Sequence, residues 1–241
     1  MKLILCGGGW GKKTIIPNKA FEGIIDPSKP ILYIPVAREK RAPAYQDCTE
    51  WLLNEFSSIT HGPIDTIEST DSIANIDLSA YTAIFIGGGN TYKLLKELKD
   101  SGAMQDIINY INNGGIIYGC SAGAIVFGQN INCCSYEDSN DVGLKDTRGF
   151  DLIFGCNLSA HYMNADDQTN EIATKLLSEQ SCITPVIALP EEDSLYINGD
   201  SIQIIGSQNF CVFNHTNKQY LPPNVVYSKQ DFIKLISNVK I

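Results

Sequence analysis

Residues 104–127 read MQDIINYINNGGIIYGCSAGAIVF, and this segment indicates the fold class. Apolar side chains recur there at the i, i+3, i+4 and i+7 spacing of an amphipathic helix, at Met104, Ile107, Ile108 and Ile111. Gly114-Gly115 would end that helix. The apolar residues 116–118 then form a short strand that runs directly into a glycine-flanked turn, residues 119–123, and a second apolar helix begins after it. This order of elements predicts an α/β fold.

Strand and helix patterns alternate in the same way before and after this stretch. Short, continuously apolar runs are typical of parallel strands that are covered on both faces, and they occupy residues 3–6, 30–36 and 83–86. Helical spacing is found at residues 45–59, from Thr91 onward, at 166–179 and at 232–236. We therefore predict a three-layer α/β fold with a mainly parallel sheet and helices on both faces.

The last third of the chain is less regular. Residues 130–150 are polar and read as a long loop, whereas alternating runs between residues 194 and 213 predict hairpins at a sheet edge. We find no repeat or linker, so the whole chain, residues 1–241, is predicted to be one domain.

The composition of the chain excludes several classes of binding partner. A formal charge of −9 argues against nucleic acid and anionic membranes, because both are bound by clustered lysine and arginine. No apolar run reaches the roughly 20 residues that a membrane span needs, and no signal peptide is expected. The eight cysteines show no CxxC spacing and are expected to be buried free thiols. We expect a cytoplasmic protein with no cofactor and no metal.

The turn at residues 119–123 suits a serine nucleophile. Such a serine projects from a tight strand-to-helix turn, where small residues two positions before and after it let the chain cross itself. Gly119 and Gly123 hold those positions around Ser121. Cys120 is the rival nucleophile, but Tyr118 would then stand where a small residue is needed. The alternatives are a cysteine-dependent, amidotransferase-like or chaperone-like protein that uses Cys120, and a binding module without catalysis.

A serine needs a base within hydrogen-bond distance and an acid that orients the base. Of three histidines, His161 is the candidate, because it follows what reads as the end of a strand, where sites assemble in parallel sheets. The order serine, acid, histidine is known for such turns, and five acids lie between Ser121 and His161, namely Glu137, Asp138, Asp141, Asp146 and Asp151. The residues alone do not choose among them.

A second glycine-rich segment, residues 87–91, also lies between a predicted strand and a helix. One of its N–H groups and the N–H of Ala122 could stabilise an oxyanion. A phosphate-binding loop with Gly-Lys-Ser/Thr is excluded by the residues that follow, and no GxGxxG fingerprint is completed there.

Taken together, IGGGNTYKLL at residues 86–95 and GCSAGA at residues 119–124 resemble the peptidase E family of serine peptidases, the aspartyl dipeptidases, with cyanophycinase as a more distant relative. The resemblance implies a flavodoxin-like fold akin to the class I glutamine amidotransferases. It also implies site roles: nucleophile Ser121, base His161, oxyanion donors Gly89 and Ala122, and acid Asp141, with Glu137 in reserve.

The resemblance further implies a substrate site, for which we name Asn90, Thr91, Tyr162 and Gln168. Aspartyl dipeptidases carry an arginine after the histidine, but this chain has no arginine after Arg148, and Gln168 is the approximate equivalent. We expect a serine peptidase that hydrolyses short peptides, with weak or no selectivity for N-terminal aspartate. A homodimer is left open.

Overall fold

The structure is a computed structural model that describes residues 1–40, 44–215 and 217–237. Its strands are β1 (Lys2–Cys6), β2 (Ile31–Ile34), β3 (Ile64–Thr66), β4 (Ala83–Ile86), β5 (Ile116–Cys120), β6 (Asn157–Ser159), β7 (Val186–Ala188), β8 (Ser194–Asn198), β9 (Ser201–Ile205), β10 (Phe210–Asn214), β11 (Asn217–Leu221) and β12 (Val226–Ser228). Its α-helices are α1 (Ile15–Glu22), α2 (Gln46–Glu55), α3 (Thr91–Asp100), α4 (Ala103–Asn112), α5 (Ala122–Ile125), α6 (Asp167–Gln180) and α7 (Lys229–Ser237).

Eight strands form the main sheet, in the order β12-β9-β8-β1-β5-β4-β2-β3. The five from β1 to β3 in this order are parallel, and the other three extend the sheet in antiparallel fashion beside β1. The register pairs Cys6 with Cys120 and Ile86 with Gly119. The carboxyl ends of β1, β5 and β4 therefore meet at one edge of the sheet, which is where sites form in open α/β sheets.

The two faces of the main sheet are covered differently. One face packs on α1 and α2 around an aromatic cluster of Phe21, Phe56, Phe85 and Tyr118. The other face packs on α3, α4 and α5 and on a second sheet, in the order β11-β10-β7-β6, while α6 and α7 add Leu177 and Phe232 to the same core. The predicted mainly parallel sheet with helices on both faces is confirmed, and the second sheet is an addition to it.

The hairpins predicted for the last third exist, but they divide between the two sheets. The β8–β9 hairpin lies at the edge of the main sheet, whereas β10 and β11 belong to the second sheet. The reason is β7, a short buried strand that the sequence analysis missed and that pairs with β10. No helix among the described residues is long and apolar enough to cross a membrane.

Candidate active site

Ser121 lies at the turn between β5 and α5 in a strained backbone conformation. Its φ of 52° and ψ of −114° are unusual for a residue with a side chain. A Cβ on Gly119 would lie 2.3 Å from the carbonyl oxygen of Gly123, and a Cβ on Gly123 would lie 2.1 Å from that of Ile86. Both flanking positions therefore require glycine, as the sequence pattern indicates. The N–H of Ser121 donates to Cys6 O over 3.1 Å, which ties the turn to β1.

His161 follows β6 and reaches Ser121 from the second sheet. Its Nε2 lies 2.8 Å from the Oγ of Ser121, and its backbone N–H donates to Gly7 O over 2.9 Å. The imidazole ring covers Gly8, where a Cβ would stand 2.2 Å from the ring Cε1. The glycines after β1 thus make room for the ring. The structure brings the predicted nucleophile and base within hydrogen-bond distance.

The carboxylate that bonds His161 is Glu191, which follows β7. Its Oε1 lies 2.9 Å from the Nδ1 of His161, and its Oε2 lies 2.6 Å from the Nζ of Lys13. The backbone N–H of Glu191 donates to the Oδ1 of Asn164 over 2.8 Å, and its carbonyl accepts from the N–H of Gly9 over 3.1 Å. Both backbone groups fix the position of this carboxylate.

Glu191 is held in its ionised form. Partial burial raises the pKa of its carboxyl group, but hydrogen bonds from Lys13 and His161 outweigh burial, so the pKa lies below its ordinary value. The same hydrogen bond raises the pKa of the Lys13 ammonium group. The Lys13 ammonium group and the Glu191 carboxylate thus form an ion pair behind the imidazole of His161.

The expectation that Asp141 is the acid is therefore corrected. Asp141 is exposed, and its carboxylate accepts a hydrogen bond from the Ser139 hydroxyl over 2.6 Å. The reserve residue, Glu137, lies on the cavity beside His161 but makes no hydrogen bond to either ring nitrogen. It is solvent-exposed, yet nearby protein displaces enough water to raise the pKa of its carboxyl group.

The physical reason for the correction is the pairing of β6 with β7. These strands are parallel, with Ser159 opposite Ala188, so the residues that follow them reach the same place. The loop that carries Asp141 instead packs on α3, where the Oδ2 of Asp138 accepts from the N–H of Thr91 over 2.9 Å. An apolar run at residues 186–189, followed after Pro190 by three acidic residues, was the sequence signal that could have found Glu191.

The two predicted oxyanion donors lie beside Ser121. Gly89 has a φ of 141°, and a Cβ there would stand 2.5 Å from the carbonyl oxygen of Ala37, so only glycine fits. A Cβ on the preceding Gly88 would lie 3.1 Å from the Cβ of Ser121. Ala122 begins α5, where backbone N–H groups have no intrahelical acceptor. Within the described residues, neither Gly89 nor Ala122 donates its N–H to a protein acceptor.

The four residues named for substrate binding do not line the cavity at Ser121. Asn90 caps α3, since its Oδ1 accepts from the N–H of Lys93 over 2.9 Å, and Thr91 is fully buried behind it. Tyr162 is buried in the core that includes the second sheet, and its hydroxyl is hydrogen-bonded to neighbouring hydroxyl groups. Gln168 is exposed on the first turn of α6. None of the four side chains therefore faces the cavity at Ser121.

A cavity of about 750 Å³ surrounds Ser121 and His161. This volume falls in the range of sites for small molecules and short peptides. The sequence analysis missed most of its walls, which come from loops after β1 and β2 and from α2, and include Trp10, Lys13, Tyr33, Arg38, Asp47 and Trp51. Glu137 and Asp138 form an acidic wall next to His161.

Cys120, the rival nucleophile, is poorly placed for catalysis. It is 6% exposed and packs in the α1/α2 core. A hydrogen bond with the Cys6 thiol, together with burial, raises the pKa of the Cys120 thiol well above its ordinary value. A buried thiol with a raised pKa is a weak nucleophile. The imidazole bonds the hydroxyl of Ser121, so the geometry favours the serine.

Comparisons with known proteins identify the family of the chain. A family model for Peptidase family S51 matches residues 3–205. Peptidase E of Nostoc sp. is 29% identical over 204 residues, 80% of this chain and 80% of that protein. Peptidase E of Citrobacter koseri is 30% identical over 138 residues, 54% of this chain and 58% of that protein. The match thus spans little more than half the length of the Citrobacter relative.

Two solved structures share the fold. A candidate peptidase E protein from Listeria monocytogenes EGD-e superimposes with a TM-score of 0.65 at 24% identity, over 85% of this chain and 98% of that one. A peptidase from an acI-B1 actinobacterium superimposes with a TM-score of 0.70 at 19% identity, over 94% of this chain and 96% of that one. These likenesses confirm the flavodoxin-like α/β fold.

Proposed function

This chain belongs to peptidase family S51, and on that premise we propose that it is a serine peptidase that hydrolyses short peptides. The observation that carries the proposal is the hydrogen-bonded series in the cavity, with Ser121 Oγ 2.8 Å from His161 Nε2 and His161 Nδ1 2.9 Å from Glu191 Oε1. Nucleophile, base and orienting acid in this arrangement are what acyl transfer by a serine requires.

In the first half-reaction, the Oγ of Ser121 attacks the carbonyl carbon of the peptide bond. Its proton passes to the Nε2 of His161 as the C–O bond forms, and the electron pair of the carbonyl moves to the oxygen. The N–H groups of Gly89 and Ala122 stabilise that oxyanion, since they have no protein acceptor among the described residues. Because the strained turn holds Ser121 beforehand, little reorganisation is needed.

Collapse of the tetrahedral intermediate then breaks the C–N bond. His161 gives its proton from Nε2 to the leaving amine, and an acyl ester remains on Ser121. A water molecule gives a proton to Nε2 of His161 and attacks the ester; the C–O bond to Ser121 then breaks, its Oγ takes the proton back from His161, and the acid is released. Throughout, Glu191 accepts the Nδ1–H bond, which fixes the tautomer and stabilises the imidazolium, while Lys13 keeps this carboxylate ionised.

The walls of the cavity support a preference for short peptides with a free amino terminus. The acidic wall of Glu137 and Asp138 beside His161 favours an ammonium group and disfavours a carboxylate. Gln168 lies outside the cavity, so it supplies no donor to an aspartate side chain. A selective pocket for a buried carboxylate needs a cation or convergent donors. We therefore expect an aspartate preference of less than about 100-fold, roughly 2.7 kcal/mol.

A dipeptide panel that varies the N-terminal residue tests this function. We expect release of free amino acids from several dipeptides, unaffected by a chelator, and no digestion of casein. Asp-X dipeptides should exceed their Asn-X and Ala-X counterparts by less than about 100-fold in kcat/KM. Failure to cleave any dipeptide, or loss of activity with the chelator, would contradict the proposal. A larger aspartate preference would overturn the selectivity claim alone.

A further inference from the structure

Two cations line the cavity, and only one of them is paired. Lys13 lies 2.6 Å from the carboxylate of Glu191 and 3.4 Å from that of Glu192. For Arg38, no ion pair with a carboxylate is found in the part of the chain that the structure describes. Its positive charge opposes the rise that burial causes in the pKa of the Cys48 thiol. The cavity therefore offers a single unpaired planar cation, the group best suited to bind a carboxylate in bidentate fashion.

The backbone holds Arg38 close to the reacting groups. The preceding residue, Ala37, accepts a hydrogen bond from the N–H of Asn90 over 3.0 Å and packs against Gly89, one of the proposed oxyanion donors. The Nζ of Lys93 donates to the carbonyl oxygens of Val36 and Arg38. The backbone at Arg38 is thus fixed to the loop that faces Ser121, while the arginine side chain remains exposed to the cavity.

Charge is distributed unevenly across the cavity. Tyr33 and Cys48 are neighbours of Arg38, and both belong to the core on the α1/α2 face. The acidic wall of Glu137 and Asp138 comes from the loop that packs on α3, on the opposite face. One acid, Asp47, shares the neighbourhood of Arg38, and its Oδ1 accepts from the N–H of Cys48 over 3.0 Å. A ligand across Ser121 meets two acids, Glu137 and Asp138, on one side, and a guanidinium with a single acid, Asp47, on the other.

A dipeptide with neutral side chains carries one ammonium group and one carboxylate, at opposite ends. We propose that Arg38 binds the C-terminal carboxylate of such a substrate, while the acidic wall faces its amino terminus. This inference rests on the proposed function, because it assumes that the scissile peptide bond lies at Ser121. Every dipeptide has this C-terminal carboxylate, whereas only a few have a carboxylate in a side chain. Because the C-terminal carboxylate must reach Arg38 while the peptide bond lies at Ser121, Arg38 selects for the length of the substrate.

Two consequences follow for specificity. In a tripeptide or a C-terminal amide, a neutral amide group replaces the carboxylate beside Arg38, and the bidentate ion pair with the guanidinium is lost. Free dipeptides are therefore preferred over both. In addition, an N-terminal aspartate finds no second unpaired cation in the described part of the cavity, which is why its side chain adds little selectivity.

The test compares one dipeptide that the enzyme cleaves with its C-terminal amide, in wild type, Arg38→Gln, Arg38→Lys and Arg148→Gln. Wild type should prefer the free acid by about 10-fold or more in kcat/KM, about 1.4 kcal/mol. Arg38→Gln should lose that preference, because its kcat/KM should fall for the free acid and stay unchanged for the amide. Arg38→Lys should regain part of the preference. Arg148 is exposed and paired with Asp146, so its variant is the matched control and should behave as wild type.

Equal use of acid and amide by wild type, or an unchanged preference in Arg38→Gln, would overturn the proposal. The proposal would also be overturned if Arg38→Gln lost the preference for Asp-X over Asn-X dipeptides but kept the preference for the free acid over the amide. Arg38 would then bind the aspartate side chain and not the C-terminal carboxylate. Calorimetry with Ser121→Ala, alone and combined with Arg38→Gln, measures the same acid-to-amide ratio without turnover. Absence of hydrolysis in wild type counts against the proposed function, whereas an unchanged binding ratio counts against the role of Arg38.

Discussion

The edge of the main sheet that presents Ser121 and the edge of the second sheet that presents His161 and Glu191 are built in different ways. At Ser121 the geometry is local, because two glycines allow backbone crossings that no other residue permits. At His161 and Glu191 it depends on the pairing of β6 with β7, strands separated by a helix. The nucleophile can therefore be predicted from five consecutive residues and the base from its place after a strand, whereas the acid Glu191 can be identified only from the fold.

The largest effect should come from breaking the local geometry. In Gly123→Ala the new Cβ would stand 2.1 Å from the carbonyl oxygen of Ile86, so the turn must move. We expect hydrolysis to fall by at least about 1,000-fold and stability by more than about 4 kcal/mol. Kinetics and thermal unfolding measure both. The control is Gly23→Ala, where the nearest atom to a Cβ is 3.5 Å away; wild-type behaviour of Gly123→Ala would contradict this account.

The contribution of the second sheet is tested at the acid. Glu191→Gln keeps the shape but cannot hold the imidazole tautomer or stabilise its cation, so kcat should fall by about 100-fold or more. Asp141→Asn is the matched control and should stay within about twofold of wild type, because Asp141 bonds only Ser139 in the described hydrogen bonds. The reverse ranking of the two variants would restore Asp141 as the acid.

A smaller effect is expected at Lys13. Since its hydrogen bond lowers the pKa of Glu191, the ion pair stabilises the fold above the ordinary carboxyl pKa, and this stabilisation is lost as the pH falls through the depressed one. The Tm difference between wild type and Lys13→Met should therefore be full at pH 7, shrink once the pH falls below the ordinary carboxyl pKa of about 4.3, and vanish below the depressed pKa of Glu191. At pH 7, kcat should fall about 10-fold. A Tm difference that persists undiminished at low pH would show that Lys13 acts by packing.

The smallest effect concerns the arginine-equivalent position. Gln168 is exposed and does not line the cavity, so Gln168→Ala should change kcat/KM by less than about twofold for every dipeptide in the panel. A selective loss on Asp-X substrates would instead place α6 in the substrate site.

The features that could be predicted from sequence are those set by local geometry, and the features that were missed depend on strand pairing. The resemblance to peptidase E, the α/β fold and the pairing of a glycine-flanked Ser121 with His161 were all available, because periodicity and turn chemistry are local signals. Glu191 was not found, since β7 is three residues long and its register with β6 is not encoded locally. Arg38 was also missed, because its place beside Gly89 depends on the β2–β4 pairing. Tyr162 was named for the substrate site, but Phe213 of β10 and Tyr220 of β11 pack against it.

The central claim is that Ser121, and not Cys120, is the nucleophile. The most direct measurement is kcat of Ser121→Ala and Cys120→Ala on the best dipeptide of the panel, with thermal unfolding to verify that both variants fold. Ser121→Ala should lower kcat by roughly four orders of magnitude or more, as loss of a nucleophile does in other serine peptidases, and Cys120→Ala should stay within about 10-fold of wild type. An active Ser121→Ala beside an inactive, folded Cys120→Ala would contradict the account.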